Sequence, residues 1–390
     1  MPIAAFFKAG FRPFFSLLML FAMLFMIGWG GVLLFQLPLP LSVPAVYWHG
    51  HELLFGIVGA AIAGFLLTAV ANWTGRPPVS GALLMSLVGV WLAARLVFFI
   101  PGGIGLTGLV NCGFWLLLAV VIGREIIAAN NRRNLKVVLI LIGFLVLEVL
   151  FFSGLTTGTA VTASSLHAGI MLGLLLITLI AGRITPAFSN NWLRSQGKEP
   201  CAENKTVLDG MVFGSMALLL PWSFYSSSFF IAALALFAAC AQSARLLLWR
   251  GWMVQDNPLL MVLHIAYSFI PMGLLLLAAS QFLDRVPVSA ALHVMGIGGI
   301  MSMVVAVAAR VMLGHTKRAL EMPLAAKIAF LGIVGTVLVR VLAAFSLTMI
   351  PDLYMSLLGL SVVLWVGSWL VFSSYYLPIM LEPFLGEKLK

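Results

Sequence analysis

The sequence predicts an all-α integral membrane protein that crosses the bilayer twelve times. The chain is 62% hydrophobic and only 9% charged, whereas soluble domains carry about a quarter charged residues. Runs of about 20 apolar residues, the length that spans the hydrocarbon core, recur from end to end. Basic residues cluster between alternate runs, which is the charge pattern of a polytopic membrane protein.

Each predicted span is bounded by residues that leave the hydrocarbon or turn the chain. The connections on one side contain proline and glycine, as in QLPLPLSVP, IPGGIG, FFSGLTTGT and DRVP. Those on the other side carry lysine and arginine, and the longest, from Arg183 to Thr206, is predicted to be a polar connector. No small-residue cleavage site follows the first span, so we expect that helix to stay in the mature protein. In chain order the predicted spans are 14–35, 47–71, 81–100, 105–123, 135–152, 160–182, 207–222, 226–248, 258–280, 287–313, 324–346 and 352–381.

The basic residues also predict the orientation of the chain. With the N-terminus inside, they fall almost entirely on one side, and only Arg285 lies clearly on the other. Because cytoplasmic loops are enriched in lysine and arginine, both termini are predicted to be cytoplasmic. Topology then explains the net charge of +10. We expect the basic residues to interact with anionic membrane lipid, and nucleic acid is not a predicted partner.

A faint internal repeat relates three of the spans. His51, His167 and His293 lie near the start of the second, sixth and tenth spans, which end in LLTAVANWTGRPP, LITLIAGRITPAF and VVAVAARVMLGHT. The agreement predicts a single membrane domain of three four-helix units around a pseudo-threefold axis, roughly 1–134, 135–257 and 258–390. The helical rise puts His293 about 9 Å below the start of its span, and all three histidines are predicted to lie at a similar depth in the outer part of the bilayer.

Histidine is costly in hydrocarbon unless it has a partner, so intramembrane histidines are functional candidates. Imidazole is also a common ligand of haem iron and copper. His49 and His51 point about 200° apart on a helix, so one could face a metal while the other stays at the wet interface. Met295 is better explained as packing, His264 could serve a second site, and His315 is expected at the interface. The candidate metal ligands are His49, His51, His167 and His293.

Four charged residues in or beside the spans are further candidates. Glu52 follows His51 and could orient a histidine, relay protons or pair with Arg95. Glu148, near the outer end of the fifth span, could supply a proton path or an ion pair. Arg95 and Arg285 are candidate partners of haem propionates, because the guanidinium fork suits carboxylates.

Several strings of the chain resemble a known family. KAGFRPFF, WHGHELLFG, GFLLTAVANWTGRPP, AGRITPAF and LHVMGIGG together resemble the NnrS family, and the resemblance covers essentially the whole chain. These are bacterial haem- and copper-containing membrane proteins of the nitric oxide response. The resemblance implies an inner-membrane protein with haem b and copper that takes part in denitrification and in protection against nitrosative stress.

The arrangement of histidines is also similar, more distantly, to the catalytic subunit of haem–copper oxidases. By that analogy His51 and His293 would ligate haem, and His167 would face copper or a second metal. The chain departs from the oxidase pattern in its seventh span, MVFGSMALLLPWSF, which lacks a histidine pair, and in its tenth, which has HVM where the oxidase has two histidines. One haem with a rearranged copper site is therefore expected.

Two functions compete at this point. In the first, the protein binds or reduces nitric oxide at an intramembrane metal site, with electrons from a separate donor and protons through Glu52 or Glu148. In the second, it is a proton-coupled twelve-helix transporter whose histidines bind protons or substrate. Three repeats of four helices favour the first function, and two matching halves favour the second. The spacing of the histidines favours the first.

Overall fold

A computed structural model describes residues 2–224 and 228–385 of the 390-residue chain. The described residues form helices and their connections without a strand, and twelve helices are long and apolar enough to cross a membrane. The predicted fold class and the number of spans are thereby confirmed. The helices are α1 (Phe11–Phe35), α2 (Ala45–Thr74), α3 (Gly81–Phe99), α4 (Ile104–Ala128), α5 (Arg132–Thr157), α6 (Ala160–Ser195), α7 (Thr206–Phe224), α8 (Ser228–Leu248), α9 (Pro258–Ala279), α10 (Val288–His315), α11 (Leu324–Met349) and α12 (Pro351–Pro383).

The bounds agree with the predicted spans to within about five residues, except at the end of α6, which lies further along the chain. Residues 226 and 227 of the predicted eighth span lie outside the described residues. The prediction that the chain becomes an irregular connector at Arg183 is wrong, because α6 continues to Ser195. The apolar run ends near Arg183. Beyond it the helix leaves the hydrocarbon, where water can hydrogen-bond to the polar side chains, and the helix therefore continues. The connector folds back onto this extension, where Asn190 Oδ1 accepts hydrogen bonds from the backbone N–H groups of Cys201 (3.0 Å) and Ala202 (2.9 Å).

The chain divides into two compact units. The first comprises Met1–Gly169, Val311–Arg318 and Trp369–Lys390, and the second comprises Ile170–Arg310 and Ala319–Ser368. In the second unit α7 to α11 pack successively, and Phe269, Val294 and Val337 of α9, α10 and α11 form a shared apolar cluster. The three predicted four-helix units and their pseudo-threefold axis stay a prediction.

In the first unit the family-like strings hold neighbouring helices together. The phenylalanines of FRPFF pack on Gly64 of α2, where an added Cβ would lie 2.7 Å from the Phe15 ring. Just beyond the C-terminal end of α2, Arg76 of the GRPP string donates to Glu125 Oε2 of α4 at 2.6 Å. Arg124 donates to the second oxygen of Glu125 at 2.7 Å. These contacts fix α1, α2 and α4 against one another.

Two of the histidine-bearing helices share a local irregularity. A π-helical segment follows His51 directly (Glu52–Ile57), and another follows His293 (Val294–Met301). A π-helical turn inserts one residue into an α-helix and so rotates the side chains that follow it. Such turns occur frequently at functional sites. The described α6 is α-helical around His167 and has no such segment.

Candidate functional site

The strongest concentration of buried ionisable groups lies at the start of α2, in the first unit. His51 ends the α-helical turn Ala45–His51, and Glu52 begins the π-helical segment. The exposed fractions of His51 and Glu52 are 0% and 1%. Charged or titratable groups in such a position need partners, since the bilayer supplies none.

His51 lies between two carboxylates. Its Nδ1 is 2.9 Å from Glu52 Oε1, and its Nε2 is 2.9 Å from Glu148 Oε1 of α5. Glu148 is fully buried. Both ring nitrogens are thereby engaged, so a metal ion at His51 would have to displace one of the two carboxylates.

Arg95 of α3 completes the cluster from the opposite side. Its Nη1 donates to Glu52 Oε1 at 2.6 Å, and its Nη2 donates to Asn111 Oδ1 of α4 at 2.5 Å. Asn111 is oriented in turn because its Nδ2 donates to the carbonyl of Thr107 at 2.8 Å. The ion pair between Glu52 and Arg95, one of three predicted roles of Glu52, is therefore present, and Glu52 also orients His51. A role of Arg95 in binding haem propionates stays a prediction. Both of its Nη atoms already donate hydrogen bonds, to Glu52 and to Asn111.

Four phenylalanine rings surround the imidazole of His51. The centroid of His51 lies 4.9 Å from those of Phe98 and Phe151, 5.0 Å from Phe55 and 5.5 Å from Phe152. All four phenylalanines are buried. The aromatic rings present apolar surface to the imidazole and lower the effective dielectric around it, which strengthens the charge interactions of the cluster.

The segment that carries His167 packs directly on the segment that carries His49 and His51. An added Cβ at Gly50 would lie 2.8 Å from the Leu166 side chain, so the two segments are in close contact. The His49 ring stacks on Trp29 with centroids 4.3 Å apart. The structure therefore brings these two predicted histidine segments together, and the roles of His49 and His167 as ligands stay predictions.

His293, in the second unit, forms a hydrogen bond through one ring nitrogen to its own helix. Its Nδ1 lies 2.6 Å from the carbonyl oxygen of Ser289, which can only accept, so Nδ1 carries the proton and Nε2 keeps its lone pair. Metal-ligating histidines are commonly oriented in this way. One turn later, an added Cβ at Gly296 would meet nothing within 4 Å, so the helix surface beside His293 is open. Met295 instead packs into α9, where an added Cβ at Gly273 would lie 2.3 Å from its side chain.

Of the other predicted residues, Arg285 and His264 belong to the second unit and His315 belongs to the first. Arg285 is exposed in the connection between α9 and α10. His264 is buried, with Nε2 3.2 Å from Ser189 Oγ. His315, at the end of α10, is exposed and its ring lies 5.4 Å from that of Phe11.

A polar network of the second unit was not predicted from the sequence. Arg245 of α8 donates to the carbonyl of Thr178 at 3.0 Å and to Tyr267 Oη at 3.2 Å, and Tyr267 donates to Gln242. The sequence signal was present, since Gln242 and Arg245 lie three residues apart in an apolar helix and therefore on one face. Because the distribution of basic residues along the chain already accounts for an arginine at this position, the sequence alone does not reveal that the Arg245 side chain is buried.

Within the described ranges 2–224 and 228–385, no three histidine, cysteine, aspartate or glutamate side chains are arranged to hold a metal ion. A haem needs only one or two protein ligands, so His293 alone satisfies the requirement for an axial ligand. His293 therefore fits the metal group that the resemblance implies, whereas His51 is occupied by carboxylates.

The fold and the cluster define a polytopic membrane protein with an ionisable site among its membrane-spanning helices. A family model described as NnrS protein matches residues 5–383, and the chain therefore belongs to the NnrS family. The resemblance found in the sequence is confirmed, and membership indicates a membrane protein of the nitric oxide response. No curated protein matches the chain.

Proposed function

We propose that this protein protects bacterial cells against nitrosative stress by binding nitric oxide at an intramembrane haem b. The observation that carries the proposal is the geometry of His293, with Nδ1 directed at the Ser289 carbonyl at 2.6 Å and Nε2 left as a ligand. Copper is the second metal that the family resemblance implies. The haem iron, when bound, supplies the site at which nitric oxide coordinates.

The chain's own residues contribute orientation and, in a reducing reaction, protons. Ser289 fixes the His293 tautomer, and a Cβ added at Gly296, three residues further along the helix, would meet nothing within 4 Å. Reduction of two nitric oxide molecules to nitrous oxide and water consumes two electrons and two protons, so turnover needs a separate electron donor. Glu148, which is fully buried, would handle protons, whereas Glu52, the other predicted relay, is paired with Arg95.

The test is metal analysis and reduced-minus-oxidised optical spectroscopy of the purified protein, with and without nitric oxide. We expect a b-type haem spectrum that changes when nitric oxide binds, and at least a tenfold loss of bound haem in His293→Ala. The matched control is His315→Ala on the same helix, which should keep the haem because His315 is exposed at the helix end. Full haem content in folded His293→Ala would refute the assignment.

Proton-coupled transport is the second candidate function, and the buried cluster at His51 favours it, because ionisable groups of this kind form proton relays in transporters. The same preparation discriminates between the two candidates. Wild-type protein that is folded but carries neither haem nor copper would favour transport, and proton-driven uptake into vesicles would be the next assay.

A further inference from the structure

The hydrogen-bond chemistry of His51 restricts where protons can lie. An ionised carboxylate only accepts hydrogen bonds, whereas a neutral imidazole has one donor and one acceptor nitrogen. Both ring nitrogens of His51 lie 2.9 Å from carboxylate oxygens. Either both nitrogens carry hydrogen, or one of the two glutamates is protonated and donates to the ring.

Both arrangements contain the same number of protons. With an imidazolium, the charges of His51, Arg95, Glu52 and Glu148 sum to zero. With a neutral imidazole and one protonated glutamate, the sum is again zero. An uncompensated charge in a dry interior is strongly disfavoured, so the neutral cluster retains one exchangeable proton.

Arg95 determines which carboxylate can share that proton. It donates to Glu52 Oε1 at 2.6 Å and is itself held by Asn111. A buried guanidinium that lost this partner would be left unpaired, so Glu52 stays ionised. Glu148 has no cation other than His51 among the described residues, and its one titratable neighbour on α4 is the thiol of Cys112. The proton therefore lies between His51 Nε2 and Glu148 Oε1.

The second carboxylate oxygen of Glu148, Oε2, is the atom through which the proton can leave the cluster. In the described part of the chain Glu148 Oε2 is buried and has no hydrogen-bond partner. A buried polar atom without a partner is energetically unfavourable, and a hydrogen-bond donor or a proton at Oε2 would remove that cost. Glu52 Oε2 also has no partner, but the ion pair with Arg95 keeps that carboxylate charged.

We propose that His51 and Glu148 form a proton-exchange site, in which one proton is shared between them and leaves or enters through Glu148 Oε2. In the transfer the N–H bond at Nε2 breaks as an O–H bond forms at Glu148 Oε1. Rotation of the carboxyl group brings that O–H to the position of Oε2, where the proton passes to a water molecule or a reacting molecule. A proton that returns by the same route restores the neutral cluster. His51 is thereby assigned to proton exchange and not to a metal. The inference goes beyond the proposed function, because it needs no metal and would serve nitric oxide reduction or transport equally.

The experiment combines infrared spectroscopy with nitrogen NMR of protein labelled with ¹⁵N-histidine, in lipid vesicles. We expect wild-type protein to show either a carboxylic-acid carbonyl band or one buried imidazolium, and the carbonyl band to shift in deuterated water. Glu148→Gln keeps the size of the side chain and should lose either signal. Glu125→Gln is the control and should leave both unchanged, because Arg76 and Arg124 hold that carboxylate ionised.

Three results would overturn the inference. The first is that folded wild-type protein shows neither the acid band nor the imidazolium. The second is that the signal persists in Glu148→Gln. The third is that it never responds to deuterated water, which would mean a trapped proton. Circular dichroism and melting temperature verify that each variant is folded. Because none of these measurements involves haem, their failure is separate from failure of the proposed function.

Discussion

Gly56 and Gly182 each lie beneath the guanidinium of a buried arginine. An added Cβ at Gly56 would lie 2.3 Å from Arg95 Nη1, and one at Gly182 would lie 2.0 Å from Arg245 Nη2. Glycine is the residue that lets another chain segment approach its backbone so closely. The glycines in the strings WHGHELLFG and AGRITPAF are thereby explained by the arginines that pack on them.

Gly56→Ala is expected to destabilise the first unit. The new methyl group displaces Arg95 from Glu52, and overpacking of this kind costs about 1–3 kcal/mol, with more lost if the buried ion pair breaks. The free energy of unfolding in mixed detergent micelles measures the change. Gly89→Ala on α3 is the matched control, since its Cβ would meet nothing within 4 Å. Equal stability of the two variants would contradict the role of Gly56.

The site was only partly predictable residue by residue. The sequence indicated that Glu52 needs a partner and that Arg95 was a candidate, because both are charged within apolar runs. His51 and Glu148 lie 97 positions apart in the sequence. Nothing in either segment indicates that the two side chains are in contact. Asn111 was missed since a single amide in an apolar helix has many possible partners until the neighbouring helices are known.

At the scale of whole helices, two internal prolines are compensated by side chains from elsewhere in their own unit. A proline removes the hydrogen bond to the carbonyl four residues earlier. Pro383 frees the carbonyl of Ile379, to which Arg12 Nη1 donates at 3.1 Å. Pro186 frees the carbonyl of Gly182, to which Asn204 Nδ2 donates at 2.7 Å. The arginine of FRPFF, Arg12, thus supplies the hydrogen bond that the Ile379 carbonyl loses to Pro383.

Asn204→Ala is expected to lower the free energy of unfolding by about 1–3 kcal/mol. The substitution removes the donor for Gly182 and also the acceptor for Trp249 Nε1, which donates to Asn204 Oδ1 at 2.9 Å. Pro186→Ala supplies a backbone N–H to the Gly182 carbonyl, so the loss should be smaller in that background. A double-mutant cycle measures the coupling.

Asn191→Ala is the control for this cycle, because Asn191 is exposed on α6, the helix that contains Pro186. It should change the free energy of unfolding by less than about 0.5 kcal/mol. Identical losses from Asn204→Ala in both backgrounds would show that Asn204 does not compensate for Pro186.

The helices themselves were predictable because the bilayer imposes a length on every apolar run. The extension of α6 to Ser195 was missed because hydropathy reports where the hydrocarbon ends and not where hydrogen bonding of the helix ends. The π-helical segments after His51 and His293 were also missed, since an inserted residue leaves the apolar pattern intact. These features depend on packing between helices, which composition does not encode.

At the scale of the whole molecule, the division into two compact units was not predicted. Each unit collects segments from distant parts of the chain, so the division depends on helix packing that a repeat of histidines does not determine. The charge pattern carries different information, because it concerns the orientation of the chain in the membrane. Orientation follows from lysine and arginine near the ends of the spans, whatever the packing of the helices.

The orientation is testable within the second unit. Lys198 lies in the connection between α6 and α7, and Arg285 lies in that between α9 and α10. Three candidate spans separate them, so we expect them to face opposite sides of the membrane. In a variant whose three native cysteines are replaced by alanine, Arg285→Cys should react with a membrane-impermeant thiol reagent in spheroplasts. Lys198→Cys should react only after permeabilisation, because the basic connections are retained in the cytoplasm. The reverse pattern would place both termini outside, and labelling of both in intact spheroplasts would contradict the number of spans between them.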